Sequence, residues 1–420
     1  MTSVPNRLPL LSGNRWFLFF IIALISAACS PKLQPVAVQP IKKEPEKPAI
    51  NNQVVKKAEV PPAPKVPTIS LLLPFGLEHL APGSAYTYVS LKKADIAVDY
   101  YQGFMLALDS LSSQGYNYRL RVLDTKDEAS VAHSLAYKPE VRTSDLIVGP
   151  VFPESMKAFS DVLVSTGQPI VSPLSAVSPA TFKNKNLITV VPPLEYHAWA
   201  AAQYINERMK PEKIFILKSG FSEENEYIVP FKKAIDSLSN RQTKTISITA
   251  IHGALSSLIP QLSASETNVF LIASTNQHFL TVTLRALDSL NNTYPVTLFG
   301  HPDWRKFSFL NVNILQRLNT HITSADQVNY KATNTVAFSR AYRKAYHAEP
   351  SDYAIKGFDE GWYFGQLLAG GELKKGGQTD LADFNGLHNT FHFVKKPGLG
   401  WINTHVDLLK YVNFELKKVE

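Results

Sequence analysis

The stretch LIVGPVFPESMKAFSDVLVSTGQPIVSP, residues 146–173, decides the fold. The apolar triplet 146–148 stops abruptly at Gly149-Pro150, residues 154–166 read as a helix, and the apolar 169–171 stops at Ser172-Pro173. Two short apolar runs closed by turn residues and separated by one helix are a βαβ unit, whose strands lie parallel in one sheet. Outward from this unit the same alternation continues. Upstream, 69–74 (ISLLLP) is a continuous apolar run, as in a strand buried on both faces. Residues 100–111 follow with Phe104, Leu108 and Leu111 at helical spacing, and 118–123 (YRLRVL) alternates and ends at Asp124.

A second series with the same grammar begins after Pro192-Pro193. Strands are expected at 213–217, 245–251, 269–273 and 296–299, with helices at 198–209, 230–238, 255–262 and 280–290. Long helices at 336–348 and 354–370 then lead to alternating segments near 391–393 and 406–414. About 350 residues exceed what one hydrophobic core usually supports. The expected fold class is therefore α/β, two doubly wound parallel-sheet lobes. Lobe 1 is expected to take 68–194 plus 325–392, and lobe 2 to take 195–324 plus 393–420.

The N-terminus reads differently. Arg7 and Arg15 precede the apolar run 16–25 and then Ser26-Ala27-Ala28-Cys29, the layout of a secretory leader. Cys29 is the only cysteine, so the folded part has no intrachain disulfide and no cysteine-based metal site. The segment resembles the bacterial lipobox, which implies cleavage after residue 28, lipidation of Cys29 and a periplasmic, lipid-anchored chain. It departs in carrying Ser26 where Leu is usual, and the alternative is an uncleaved anchor helix. Ser30 resembles the sorting residue of lipoproteins sent to the outer membrane. Residues 30–67 hold nine prolines, seven lysines and three glutamates. This reads as a disordered tether able to reach on the order of 100 Å. Of the net charge of +8, the leader and tether carry all but +2, which disfavours a nucleic-acid partner.

The ordered matches, 146–173 first and then 119–124, 213–222, 338–359 (FSRAYRKAYHAEPSDYAIKGFD) and 398–408, resemble the type I periplasmic-binding fold. The branch is that of leucine/isoleucine/valine-binding proteins, the substrate-binding components of ABC transporters. The resemblance covers nearly all of 68–420 and implies a small-molecule ligand held between the lobes by hinge closure. The loops expected at the cleft are 74–76, 151–155 and 172–176 from lobe 1, and 219–223, 274–277 and 300–304 from lobe 2. Ser155, at a helix start, and Ser172 and Ser175 are candidate donors to an anionic group. Asp303 is the candidate for a cation, Phe152, Phe221 and Trp304 for apolar or stacking walls, and Thr275 completes the set. Leu174, Ser175 and Ala176, with Phe221-Ser222 and Glu223-Glu224, depart from the amino-acid-binding pattern.

Catalysis has little footing. Ser90-Leu91-Lys92-Lys93 fits S-x-x-K but lacks its partner motifs and reads as a solvated loop. No G-x-S-x-G, P-loop or H-E-x-x-H occurs, and His301 with Asp303 lacks a second histidine at metal-ligand spacing. No enzyme activity, catalytic residue, cofactor or metal is expected. The second functional reading is an outer-membrane adaptor, because a branch of this fold resembles lipoprotein activators of peptidoglycan synthases. The partner is then a synthase in place of a transporter permease.

Overall fold

The computed structural model describes residues 66–373 and 381–419. The leader, Cys29 and residues 30–65 of the tether lie outside the described residues. Lobe 1 contains β1 (Thr68–Leu73), β2 (Arg119–Asp124), β3 (Leu146–Val148), β4 (Ile170–Ser172) and β5 (Leu187–Thr189). Lobe 2 contains β6 (Lys213–Lys218), β7 (Lys244–Thr249), β8 (Asn268–Ile272), β9 (Val296–Gly300) and β10 (His321–Ser324). Beyond these come a small hairpin of β11 (Phe384–Asn385) and β12 (Thr390–Phe391), then β13 (Phe393–Lys396), β14 (Gly400–Asn403), β15 (Asp407–Val412) and β16 (Glu415–Lys418). The first sheet runs β13-β14-β5-β4-β3-β1-β2 and the second β16-β15-β10-β9-β8-β6-β7. Each has five parallel strands in the same order, extended at one edge. In the first, β14 is parallel to β5 and antiparallel to β13; in the second, β15 is antiparallel to both β10 and β16. All six residues of β1 are buried, which accounts for its unbroken apolar run.

One helix pair dominates lobe 1. Tyr88–Ser112 lies against Asp352–Ala369, and small residues set the spacing. A Cβ added to Gly103 falls 1.8 Å from the Ala354 carbonyl oxygen, and one on Gly357 falls 2.1 Å from that of Tyr100, so the backbones approach as only glycine permits. Within this seam the Tyr100 hydroxyl donates to Glu360 Oε2 at 2.8 Å. Burial holds the Glu360 carboxyl well above its usual range, against the opposing pull of that hydrogen bond. The helix begins twelve residues before the expected 100. Its first turns bury only small residues, Ala94 and Ala97, and so carry a faint apolar period. Ser90 is accordingly not in a solvated loop: it forms a capping box with Thr87 at the helix start, and its hydroxyl serves the backbone.

The chain crosses between lobes three times, at 190–194, 325–332 and 404–406. The last crossing corrects the expected boundary at 393, because β13 and β14 pair within the first sheet and only β15 and β16 join the second. The crossings are tied together. Ser324 is in register with Asp407. Asn403, fully buried, donates to the Val190 carbonyl at 3.0 Å and accepts from the amides of His392 and His405 at 3.0 and 3.1 Å.

Candidate functional site

Parallel strands of one sheet end on one side, and there the loops of both lobes open onto a common cleft of about 1420 Å³. Lobe 1 supplies Val151 and Phe152 after β3 and residues 174–178 after β4. Lobe 2 supplies Phe221 and Glu223 after β6, residues 273–276 after β8 and His301, Asp303, Arg305 and Lys306 after β9. The crossings contribute 190–195 and 324–326, and the Asp352 end of the long helix and His388 complete the lining.

Five of the eight candidate residues meet at this cleft. Phe152 is half-buried, with the Lys93 ammonium 5.3 Å from its ring centre. Ser175 is buried, and its hydroxyl accepts from the Val177 amide at 3.3 Å. Thr275 is exposed and Phe221 is 55% exposed at the rim. Asp303 is held by Lys306 at 2.5 Å; burial raises its carboxyl, but Lys306 outweighs that and leaves it below its ordinary value.

The other three do not line it. Trp304, only 1% exposed, is core and not a wall. Its indole N–H donates to the Ser274 carbonyl at 2.9 Å, and its ring fills the space a side chain would need at Gly300. Ser155 and Ser172 are buried under the lobe 1 surface, and neither hydroxyl has a hydrogen-bond partner among the described residues. Ser172 stands opposite Thr189, whose hydroxyl is also unpartnered. Alternation along β4 and β5 places both on the face of Ile170 and Leu187, toward the Pro153–Leu163 helix that carries Ser155.

Sequence reasoning missed the polar group at the crossings. The Asp326 carboxylate binds Arg305 of lobe 2 through one oxygen and Lys356 of lobe 1 through the other, the latter at 2.8 Å. Burial alone would raise the Asp326 carboxyl, but Lys356 and Arg305 together bring it down to about 2. Nearby, His197 Nδ1 meets the Thr323 hydroxyl at 3.0 Å, and burial first, then His301, lowers this imidazole to about 3. His301 is lowered to about 4 by burial, opposed by Asp303. Both rings are thus neutral at ordinary pH. His388 Nδ1 lies 2.6 Å from Asp359 Oδ2, and Asp359 also accepts the amides of Leu387 and His388, each at 2.9 Å. No group of three or more metal-ligating side chains occurs among the described residues.

No protein-family model matches the sequence, and no curated protein is similar to it. Solved structures are similar in fold. An ABC transporter substrate-binding protein from Desulfitobacterium hafniense, in complex with Leu, is 18% identical with a TM-score of 0.55, over 84% of this chain and 100% of that one. A putative branched-chain amino acid ABC transporter protein from Rhodospirillum rubrum is 13% identical with a TM-score of 0.61, at the same coverage. A branched chain amino acid ABC transporter periplasmic ligand-binding protein from Burkholderia xenovorans LB400 is 12% identical with a TM-score of 0.57, over 84% and 94%. This is the two-lobed type I periplasmic-binding architecture that the sequence resembles.

Proposed function

We propose that the chain is a non-catalytic solute-binding protein of an ABC-type uptake or sensing system, taking an amino-acid- or peptide-like ligand into the cleft by hinge closure. The observation that carries this reading is the cleft, walled by both lobes and bordered by two of the three short crossings, at 190–195 and 324–326. A site shared between two bodies joined in this way closes by rotation about the crossings. Phe152, Ser175, Phe221, Thr275 and Asp303 are the proposed contacts. The complex of the Desulfitobacterium hafniense protein with Leu lends support by likeness of fold. In the same reading the protein is periplasmic, lipid-anchored through Cys29, with the outer membrane as its destination and 30–67 as its tether. The adaptor reading has less support, since a surface that only touches a synthase has no use for a cleft of this size.

Thermal denaturation of the protein across amino acids, peptides, sugars and peptidoglycan fragments tests the reading. A ligand at 100 times its Kd adds about 2.7 kcal/mol to stability. A blank across the whole panel, with capture of a peptidoglycan synthase, refutes solute binding and favours the adaptor.

A further inference from the structure

We propose that the cleft selects an organic cation, a ligand carrying an ammonium or guanidinium group beside an apolar group. This rests on the solute-binding reading and narrows the ligand class. Lobe 1 contributes an apolar stretch, Ile96, Val151, Phe152, Leu174, Val177 and Val190, beside the polar Ser175, Ser178 and Thr181. The charged lining comprises seven carboxylates against three cations. The three cations are already committed, Lys306 to Asp303 and both Arg305 and Lys356 to Asp326. Glu195, Glu223, Glu226 and Asp352 have no ion-pair partner among the described residues; Ser178 and Tyr330 offer two of them only neutral hydroxyl donors, at 3.5 and 2.9 Å. Glu224 is likewise satisfied by the amide and hydroxyl of Ser219 and not by a cation. A concave site lined by one sign of charge concentrates ligands of the other sign.

A second observation is independent of the acids. His388 lines the cleft while only 4% exposed. Its Nδ1 lies 2.6 Å from the Asp359 carboxylate, an acceptor that assigns a proton to Nδ1 and, in the neutral tautomer, leaves a lone pair at Nε2. No protein donor reaches Nε2 among the described residues. A buried acceptor on the floor of an acid-rich cleft matches the N–H donors of an ammonium or guanidinium group.

The test is titration calorimetry of the full chain with three probes of one skeleton: 4-phenylbutylamine, 4-phenylbutanamide and 4-phenylbutyrate. The expected result is that the amine binds at least tenfold tighter than the amide and that the carboxylate binds weakest. Raising the salt from about 20 to 500 mM shortens the screening length and shrinks the preference. Glu223 and Glu226 are exposed, so E223Q/E226Q preserves the fold and is expected to cut the preference to under threefold. Equal or tighter binding of the amide or carboxylate overturns the inference, as does a preference that survives the double substitution. If none of the three binds but the broader panel finds a ligand, the cation inference falls and solute binding stands; if both are blank, both fall.

Discussion

Replacing Asp326 by Asn removes one charge from the junction of the lobes and keeps its shape. The Asp326 backbone carbonyl still accepts from Arg305 at 3.0 Å and from the Ser324 hydroxyl at 2.7 Å, so the substitution isolates the carboxylate's link to Arg305 and Lys356. All three side chains are less than a third exposed, so solvent screens this group less than a surface pair. The carboxyl falls from an ordinary 3.8 to about 2. At about 1.4 kcal/mol per unit, that is on the order of 2 kcal/mol at pH 7. A depressed carboxylate stabilises above its unfolded pKa and loses that contribution as pH falls through its folded one. The difference between wild type and D326N is therefore full at pH 5 to 7, about half remains at pH 3, and it vanishes below about 2. Urea denaturation of both proteins at each pH measures it. Equal stability at pH 7, or a difference that grows on acidification, refutes the reasoning.

Gly357→Ala drives a methyl group against the Tyr100 carbonyl at 2.1 Å and is expected to cost about 1–3 kcal/mol by thermal denaturation, toward the upper end because backbone must move. His197 is lowered to about 3, so between the unfolded value of 6.5 and that point the unfolded chain holds one more proton; stability falls with falling pH by about 1.4 kcal/mol per pH unit from this ring. His197→Asn should flatten the slope between pH 6 and 4 by one proton, and an unchanged slope counts against burial as the cause. Trp304→Ala should lose about 3–5 kcal/mol, as a buried aromatic does. Phe221→Ala should stay within about 0.5 kcal/mol in stability while weakening ligand binding, a contrast that denaturation and calorimetry together read out.

Strands buried on both faces were legible because burial writes a continuous apolar run, ended where Gly149-Pro150 or Ser172-Pro173 closes it. β10 escaped that logic. His321, Thr323 and Ser324 are buried polar residues, so the segment has no apolar run although all four positions are inside. The cleft was legible as loops and not as contacts. Phe152 and Trp304 both follow strand ends, but only the absence of a side chain at Gly300 shows that the indole turns inward, and no local spacing announces that. The boundary at 393 failed for a related reason: β13 and β14 form a hairpin, and a local hairpin does not say which of two similar sheets it joins.

The Arg305–Asp326–Lys356 group is scattered along the chain and acquires meaning only through topology. Asp326 stands on the second crossing, Arg305 follows β9 of lobe 2 and Lys356 belongs to the helix that packs into lobe 1. A bridge seated on a crossing lies near the axis about which the lobes turn, so it can persist through motions that carry Phe152 and Phe221, on loops of different lobes, much farther. It also turns Arg305 and Lys356, two cations that line the cleft, onto an internal carboxylate. The link that steadies the hinge is thus the link that leaves Glu195, Glu223 and Glu226 uncompensated, and the cleft owes its negative sign to how its joint is held.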